Sequence, residues 1–124
     1  MCHALIVEEN AAFRQSLREM LRTWFPSIFV EEATDGLEAL QKLKMCRPDL
    51  VFVNMRLPRA NGLEIAKRIR DENEQVVVVV LTSHDLPEYR KAAYESGATH
   101  FFAKGISTSD EIYKLVRCHF SCSV

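Results

Sequence analysis

The chain has 124 residues and a formal net charge of −1, with 16 basic and 17 acidic side chains and 48% hydrophobic residues. That length fits one domain burying about 70% of its unfolded surface, and the apolar content excludes a disordered chain. The balanced charge leaves no basic footprint for nucleic acid, and no apolar run approaches the roughly 18 residues of a membrane span.

Ala4-Leu5-Ile6-Val7 predicts a first strand. Asn10 caps the helix that follows, whose Phe13, Leu17, Met20, Leu21 and Trp24 recur at three- and four-residue steps before Pro26 ends it. Residues 28 to 33 predict a second strand. Asp35-Gly36 opens a second helix with Leu37, Leu40 and Leu43 on one face, and Pro48 separates it from a third strand, Leu50 to Val53. The segment from Pro58 to Gly62 reads as a loop, and the next helix carries Leu63, Ile65, Ala66 and Ile69. Val76 to Leu81 is apolar on both faces, which places it in the middle of a parallel sheet covered by helices. Leu86-Pro87 starts a fourth helix and Ser96-Gly97 ends it. His100 to Ala103 predicts a fifth strand, and Thr108 or Ser109 caps a last helix with Ile112, Leu115 and Val116 facing inward.

Short apolar runs alternating with amphipathic segments imply right-handed βαβ crossovers and a doubly wound sheet. No repeat, linker or low-complexity stretch interrupts the pattern. Residues 1–124 are expected to form one domain, with any output domain outside the chain. The opening Met1-Cys2-His3-Ala4 lacks a basic, then apolar, leader pattern. Cys2, Cys46, Cys118 and Cys122 form no CxxC pair, so they read as reduced thiols of a cytoplasmic protein and not as zinc ligands.

Open parallel sheets gather their chemistry at the carboxyl ends of the strands. Here those ends carry Glu8-Glu9, Asn54, Thr82-Ser83 and Lys104. Two carboxylates and an amide oxygen suit a hard divalent cation. Thr82 is placed to donate to an anion, and Lys104 to neutralise the acids or contact a phosphoryl oxygen. The bland alternatives are a solvated acidic turn, a local threonine bond and a Lys104 salt bridge with Glu8 or Glu9. His84 and His100 read as surface or edge residues. No glycine-rich phosphate loop and no Ser-His-Asp or Cys-His arrangement occurs, so no enzyme activity is expected.

These motifs together resemble the receiver domains of two-component response regulators. The resemblance spans essentially the whole chain. It rests on Ile6-Val7-Glu8-Glu9-Asn10, the run from Asp49 through Asn54 to Pro58, Asn61-Gly62, Leu81-Thr82-Ser83-His84-Asp85, and the run from Gly97 to Lys104. It implies a flavodoxin-like (βα)5 fold with a five-stranded parallel sheet in the order 2-1-3-4-5. It also implies that Glu8 and Glu9 are the acidic, metal-binding pair and Asn54 holds the phosphoacceptor position. Thr82 becomes the hydroxyl switch, Phe101 the aromatic switch or a plain core residue, and Lys104 the phosphoryl-contacting lysine. The backbone carbonyl of Arg56 becomes a metal ligand.

The chain departs from the family pattern in three places. A carboxamide at position 54 is no nucleophile, because its oxygen is neutral and its nitrogen lone pair is delocalised. Glutamates at 8 and 9 displace their carboxylates by a methylene, which octahedral Mg2+ tolerates poorly, so Mg2+ binding is expected to be weak or absent. Gly105 follows Lys104 where many receivers have proline, so a trans peptide is expected.

Two functional readings follow from the resemblance. In the first, the chain is a pseudo-receiver that is not phosphorylated at the usual site. It then acts by protein–protein contact with a sensor histidine kinase or other signalling protein, or as a homodimer. The contact face would be the fourth helix, fifth strand and fifth helix, with Glu88, Tyr89, Lys91, Tyr94, Asp110, Tyr113 and Lys114 as its surface residues, and no contact with nucleic acid or membrane. In the second, it belongs to a transcriptional regulator that does accept phosphate. Asn54 is then an inactivating substitution, or Ser83 or Asp85 takes the phosphoryl group.

Overall fold

A computed structural model describes residues 2–58, 60–105 and 108–120. Its elements are β1 (His3–Val7), α1 (Ala11–Trp24), β2 (Phe29–Ala33), α2 (Gly36–Met45), β3 (Leu50–Asn54), β4 (Arg56–Leu57), β5 (Ala60–Asn61), α3 (Gly62–Glu72), β6 (Val77–Thr82), α4 (Pro87–Glu95), β7 (His100–Ala103) and α5 (Thr108–Phe120). The main sheet runs β2-β1-β3-β6-β7 with every neighbouring pair parallel. With the β4–β5 hairpin set aside, this is the expected order 2-1-3-4-5.

Each central strand is buried on both faces, and the two-residue period sorts its side chains into two cores. Leu50 and Phe52 of β3 join Leu17 and Leu21 of α1 and Ile112 and Val116 of α5. Val51 and Val53 point the other way, into Ala39 of α2, Ile65 and Ile69 of α3, and Ala93 of α4. Two helices therefore cover one face and three the other. Each fully buried aliphatic side chain contributes about 1.5–3 kcal/mol relative to exposure.

Local signals set the helix ends. Asn10 Oδ1 accepts the Phe13 N–H at 2.9 Å, and Asp35 Oδ1 accepts the Glu38 N–H at 2.8 Å. Helix α4 has no side-chain cap and begins at Pro87, whose missing N–H removes one orphan donor. It ends at Gly97, whose φ of 101° lies in the left-handed region that glycine adopts without strain.

Several expectations are corrected. Leu37 does not face inward: it is 49% exposed, while Gly36 and Ala39 are buried. Gly36 lies so close to the β5 hairpin that a Cβ there would sit 2.2 Å from the Cβ of Ala60. That contact sets the helix rotation, and the 3.6-residue period then turns Leu37 outward and keeps Leu40 and Leu43 inward. The segment from Pro58 to Gly62 is not a plain loop, because β4 and β5 pair antiparallel, with Arg56 opposite Asn61. Two-residue strands are too short to leave a periodic signal. Strand β2 begins at Phe29, β3 extends to Asn54, and β6 spans Val77–Thr82. Helix α5 begins at Thr108, which puts both Thr108 and Ser109 inside its first turn and neither at the cap.

The Lys104–Gly105 peptide is trans, as expected. Cys2 is buried, Cys46 half-buried and Cys118 exposed, all as free thiols; Cys122 lies outside the described residues. Among the described residues no helix is long and apolar enough to cross a membrane.

Candidate functional site

Parallel pairing brings the expected site residues to one edge of the sheet. Val7 pairs with Val53, Asn54 with Leu81, and Thr82 with Ala103. The next residue along each strand therefore opens onto a common crevice. It is an open cleft of about 470 Å3, bordered by Glu8, Glu9, Asn54, Arg56, Ser83 and Lys104. A cleft of similar size, about 500 Å3, lies between α2 and α3, lined by Leu43, Arg47, Ile69, Glu72 and Asn73, but it sits at the amino ends of β3 and β6, away from the strand ends that gather the expected site residues.

Glu8 continues the β1 ladder, since its N–H donates to the Ala33 carbonyl at 3.0 Å. The extended backbone turns its side chain inward, and only 2% of the residue is exposed. A buried carboxylate needs a partner. One oxygen, Oε1, receives the Lys104 ammonium; the other, Oε2, accepts the Asn10 N–H at 3.0 Å. Lys104 in turn lies over the Phe13 ring, 4.3 Å from its centroid, a cation–π contact. Its backbone N–H donates to the Thr82 carbonyl at 2.7 Å, which ties the end of β7 to β6. The two glutamates are thus unlike: Glu8 is the buried partner of Lys104, and Glu9 is an exposed residue at the rim.

Asn54 closes β3. Its Nδ2 donates to the Arg56 carbonyl at 2.7 Å. The turn beyond it is held by the Met55 N–H on the Leu81 carbonyl at 2.8 Å and the Gly62 N–H on the Met55 carbonyl at 2.9 Å. Gly62 packs against this turn so closely that a Cβ would sit 2.0 Å from the Asn54 carbonyl oxygen. Arg56 donates to the Tyr89 hydroxyl of α4 at 3.4 Å.

Thr82 lies beneath the cleft and is 5% exposed. Its hydroxyl accepts the His84 N–H at 3.1 Å and donates to the His84 carbonyl at 3.2 Å. That local turn satisfies the hydroxyl, and Ser83 is the hydroxyl that borders the cleft. Phe101 is 2% exposed and belongs to the second core, with the Arg90 guanidinium 4.9 Å above its ring.

Sequence reasoning missed an ionic clamp beside the site. Arg14 Nη1 donates to the Glu8 carbonyl at 2.9 Å, and its Nε donates to Glu32 at 2.9 Å. Arg18 donates to the other oxygen of Glu32 at 2.6 Å. The legible signal was two arginines four residues apart on α1, flanking its apolar stripe on one side.

Hard divalent cations need several unobstructed oxygen donors. Here the Glu8 carboxylate is filled by an ammonium and an N–H, and the Asn54 amide points its NH2 at the Arg56 carbonyl. In this arrangement Glu8 and Asn54 present no unobstructed charged oxygen to a cation, and the Glu9 carboxylate at the rim is the acidic group left facing the cleft. Among the described residues, no group of three or more His, Cys, Asp or Glu side chains is placed to hold a metal.

Comparison with known proteins accounts for the architecture. The family model described as "Response regulator receiver domain" matches residues 4–117. Response regulator MprA of Mycobacterium sp. (strain KMS) is 32% identical over 111 residues, covering 90% of this chain and 47% of MprA. The chain thus spans about half the length of the curated relatives it matches. Among solved structures, the signal receiver domain of the putative response regulator NarL from Mycobacterium tuberculosis superposes with a TM-score of 0.84 at 28% identity, covering 95% of each chain. Response regulator TrrA of Thermotoga maritima, solved in complex with Mg2+-BeF, gives 0.83 at 27% identity over 96% of this chain and 99% of its own. A five-stranded parallel sheet with a polar cleft at its carboxyl edge, matched from end to end by these relatives, places this chain in the response regulator receiver domain family of two-component signalling.

Proposed function

We propose that this receiver domain is a pseudo-receiver, with Asn54 at the phosphoacceptor position and signalling carried by protein–protein contact. The carrying observation is the bond from Asn54 Nδ2 to the Arg56 carbonyl. In a phosphoryl-accepting site, position 54 presents a carboxylate nucleophile, and a cation draws that carboxylate and the carbonyl together. The amide supplies the link by itself, with no nucleophile and no call for a cation. The Lys104 ammonium completes the closure by neutralising Glu8. Mg2+ binding is accordingly weak or absent, and the domain has no catalytic activity of its own.

Without a phosphoryl group there is no differential binding energy to shift a two-state equilibrium, so the domain holds one state. The satisfied Thr82 hydroxyl and the core-packed Phe101 are consistent with a switch at rest. The face of α4, β7 and α5 is then a fixed docking or dimerisation surface. Glu88, Lys91, Tyr94, Asp110 and Lys114 are exposed, with Tyr89 half-buried; Tyr113, expected on this face, instead packs against Trp24 and Phe25 at the end of α1, with ring centroids 5.1 and 5.8 Å away. A histidine kinase or another signalling protein is the expected partner, and direct nucleic-acid binding by this domain is not.

Incubation with acetyl phosphate and Mg2+, followed by intact-mass spectrometry, tests the proposal. The expected result is an unmodified mass. A stoichiometric phosphoryl adduct overturns it, and peptide mapping would then ask whether Ser83, which borders the cleft, or Asp85 carries the group.

A further inference from the structure

On the far side of the molecule from the cleft's acidic wall, two histidines converge. His100 opens β7 and His119 lies in the last turn of α5, 19 residues later, yet their Nε2 atoms are 3.1 Å apart. We propose that His100 and His119 form a two-histidine site for a divalent transition metal of the zinc class, with solvent completing the coordination.

The geometry suits a chelate. Imidazole nitrogens bind zinc at about 2.0–2.1 Å, so two of them on a tetrahedral ion stand about 3.3–3.4 Å apart. The pair now meets end to end, Nε2 to Nε2 at 3.1 Å with ring centroids 5.4 Å apart, so a chelate requires each ring to tilt by about 35° as the pair opens. The rings meet edge to face at 72°, so tilting them toward a shared ion does not bring their faces into contact. His100 is held by its strand and by stacking on Phe102 at 5.9 Å, which fixes one donor, while exposed His119 is free to adjust. The nearby cation Arg70 has its donors committed to the Gly97 carbonyl, the Glu74 carbonyl and the Thr99 hydroxyl. Glu74 and His119 share the wall of the adjoining cleft, which is open to the water such an ion requires. A bound ion would fasten the last turn of α5 to the edge strand of the sheet.

Zinc titration of the chelator-stripped chain, followed by the imidazole nitrogen resonances in NMR, tests the site. The first equivalent should shift Nε2 of His100 and His119 together and leave His3 and His84 in place. His100→Gln and His119→Gln should each weaken zinc binding at least tenfold while thermal unfolding stays cooperative. The proposal is overturned if zinc moves neither resonance, which would leave a hydrogen-bonded imidazole pair. It is equally overturned if binding survives both substitutions but is lost in Cys118→Ser combined with Cys122→Ser, which would assign the ion to the thiols.

Discussion

Asn54 donates its side-chain N–H to the backbone carbonyl of Arg56 at 2.7 Å, so the residue that ends β3 ties down the turn that follows it. An aspartate could not do this, because an ionised carboxylate has no proton to give. Asn54→Asp should therefore turn an attraction into a clash of two acceptors. The variant should lose about 0.5–1.5 kcal/mol of stability without metal, the net contribution of one hydrogen bond at the open cleft. Mg2+ should restore that loss if the rest of the pocket is competent, and acetyl phosphate should then add one phosphoryl group. Urea melts with and without Mg2+, paired with intact-mass analysis, read both outcomes. No response to Mg2+ would show that the lengthened acidic pair also prevents binding.

The Lys104–Glu8 pair predicts a strongly non-additive pair of variants. Lys104→Met strands a carboxylate that is 2% exposed, with an expected cost of about 3 kcal/mol. Glu8→Gln in the same chain removes the stranded charge and should recover most of that loss. A double-mutant cycle by denaturant unfolding measures the coupling; simple additivity would mean that the ammonium sits in water.

Gly62 should be intolerant of any side chain. A Cβ there meets the Asn54 carbonyl oxygen at 2.0 Å and two further backbone atoms at 2.9 Å, none of which can rotate away. Gly62→Ala is expected to cost about 3 kcal/mol and to disturb the cleft, visible as lost thermal stability and shifted amide resonances at Asn54 and Met55.

The thiols should differ sharply in reactivity. Burial, reinforced by the nearby Asp49 charge, pushes the Cys2 thiol up from 9.0 to about 11. The thiolate is the reactive form, so Cys2 should resist iodoacetamide at pH 8 while exposed Cys118 is labelled. A thiol whose folded pKa is raised stabilises the fold below its unfolded value and loses that contribution as pH rises. Unfolding free energy should therefore fall between about pH 9 and 11, and Cys2→Ala should flatten that fall.

Much of the fold was legible because its signals are local. The all-apolar run that became β6, the Asn10 and Asp35 caps and the Gly97 stop each act within a few residues of themselves. The candidate site was legible as a set of strand ends, since parallel strands place those ends on one edge. Leu37 was misread because helical periodicity fixes spacing but not rotation, and the rotation of α2 is set by Gly36 meeting Ala60. The β4–β5 hairpin was missed because two-residue strands carry no period.

The sequence by itself determined the architecture, the identity of the cleft residues and the presence of an amide at position 54, for these depend on side-chain type and on near neighbours. Only the tertiary structure decided which glutamate holds Lys104, residues 96 apart in the chain, and what the Asn54 amide bonds. It alone brought His100 to His119. Strand pairing and helix docking aim each side chain, and a buried polar group takes whichever partner that packing brings within reach.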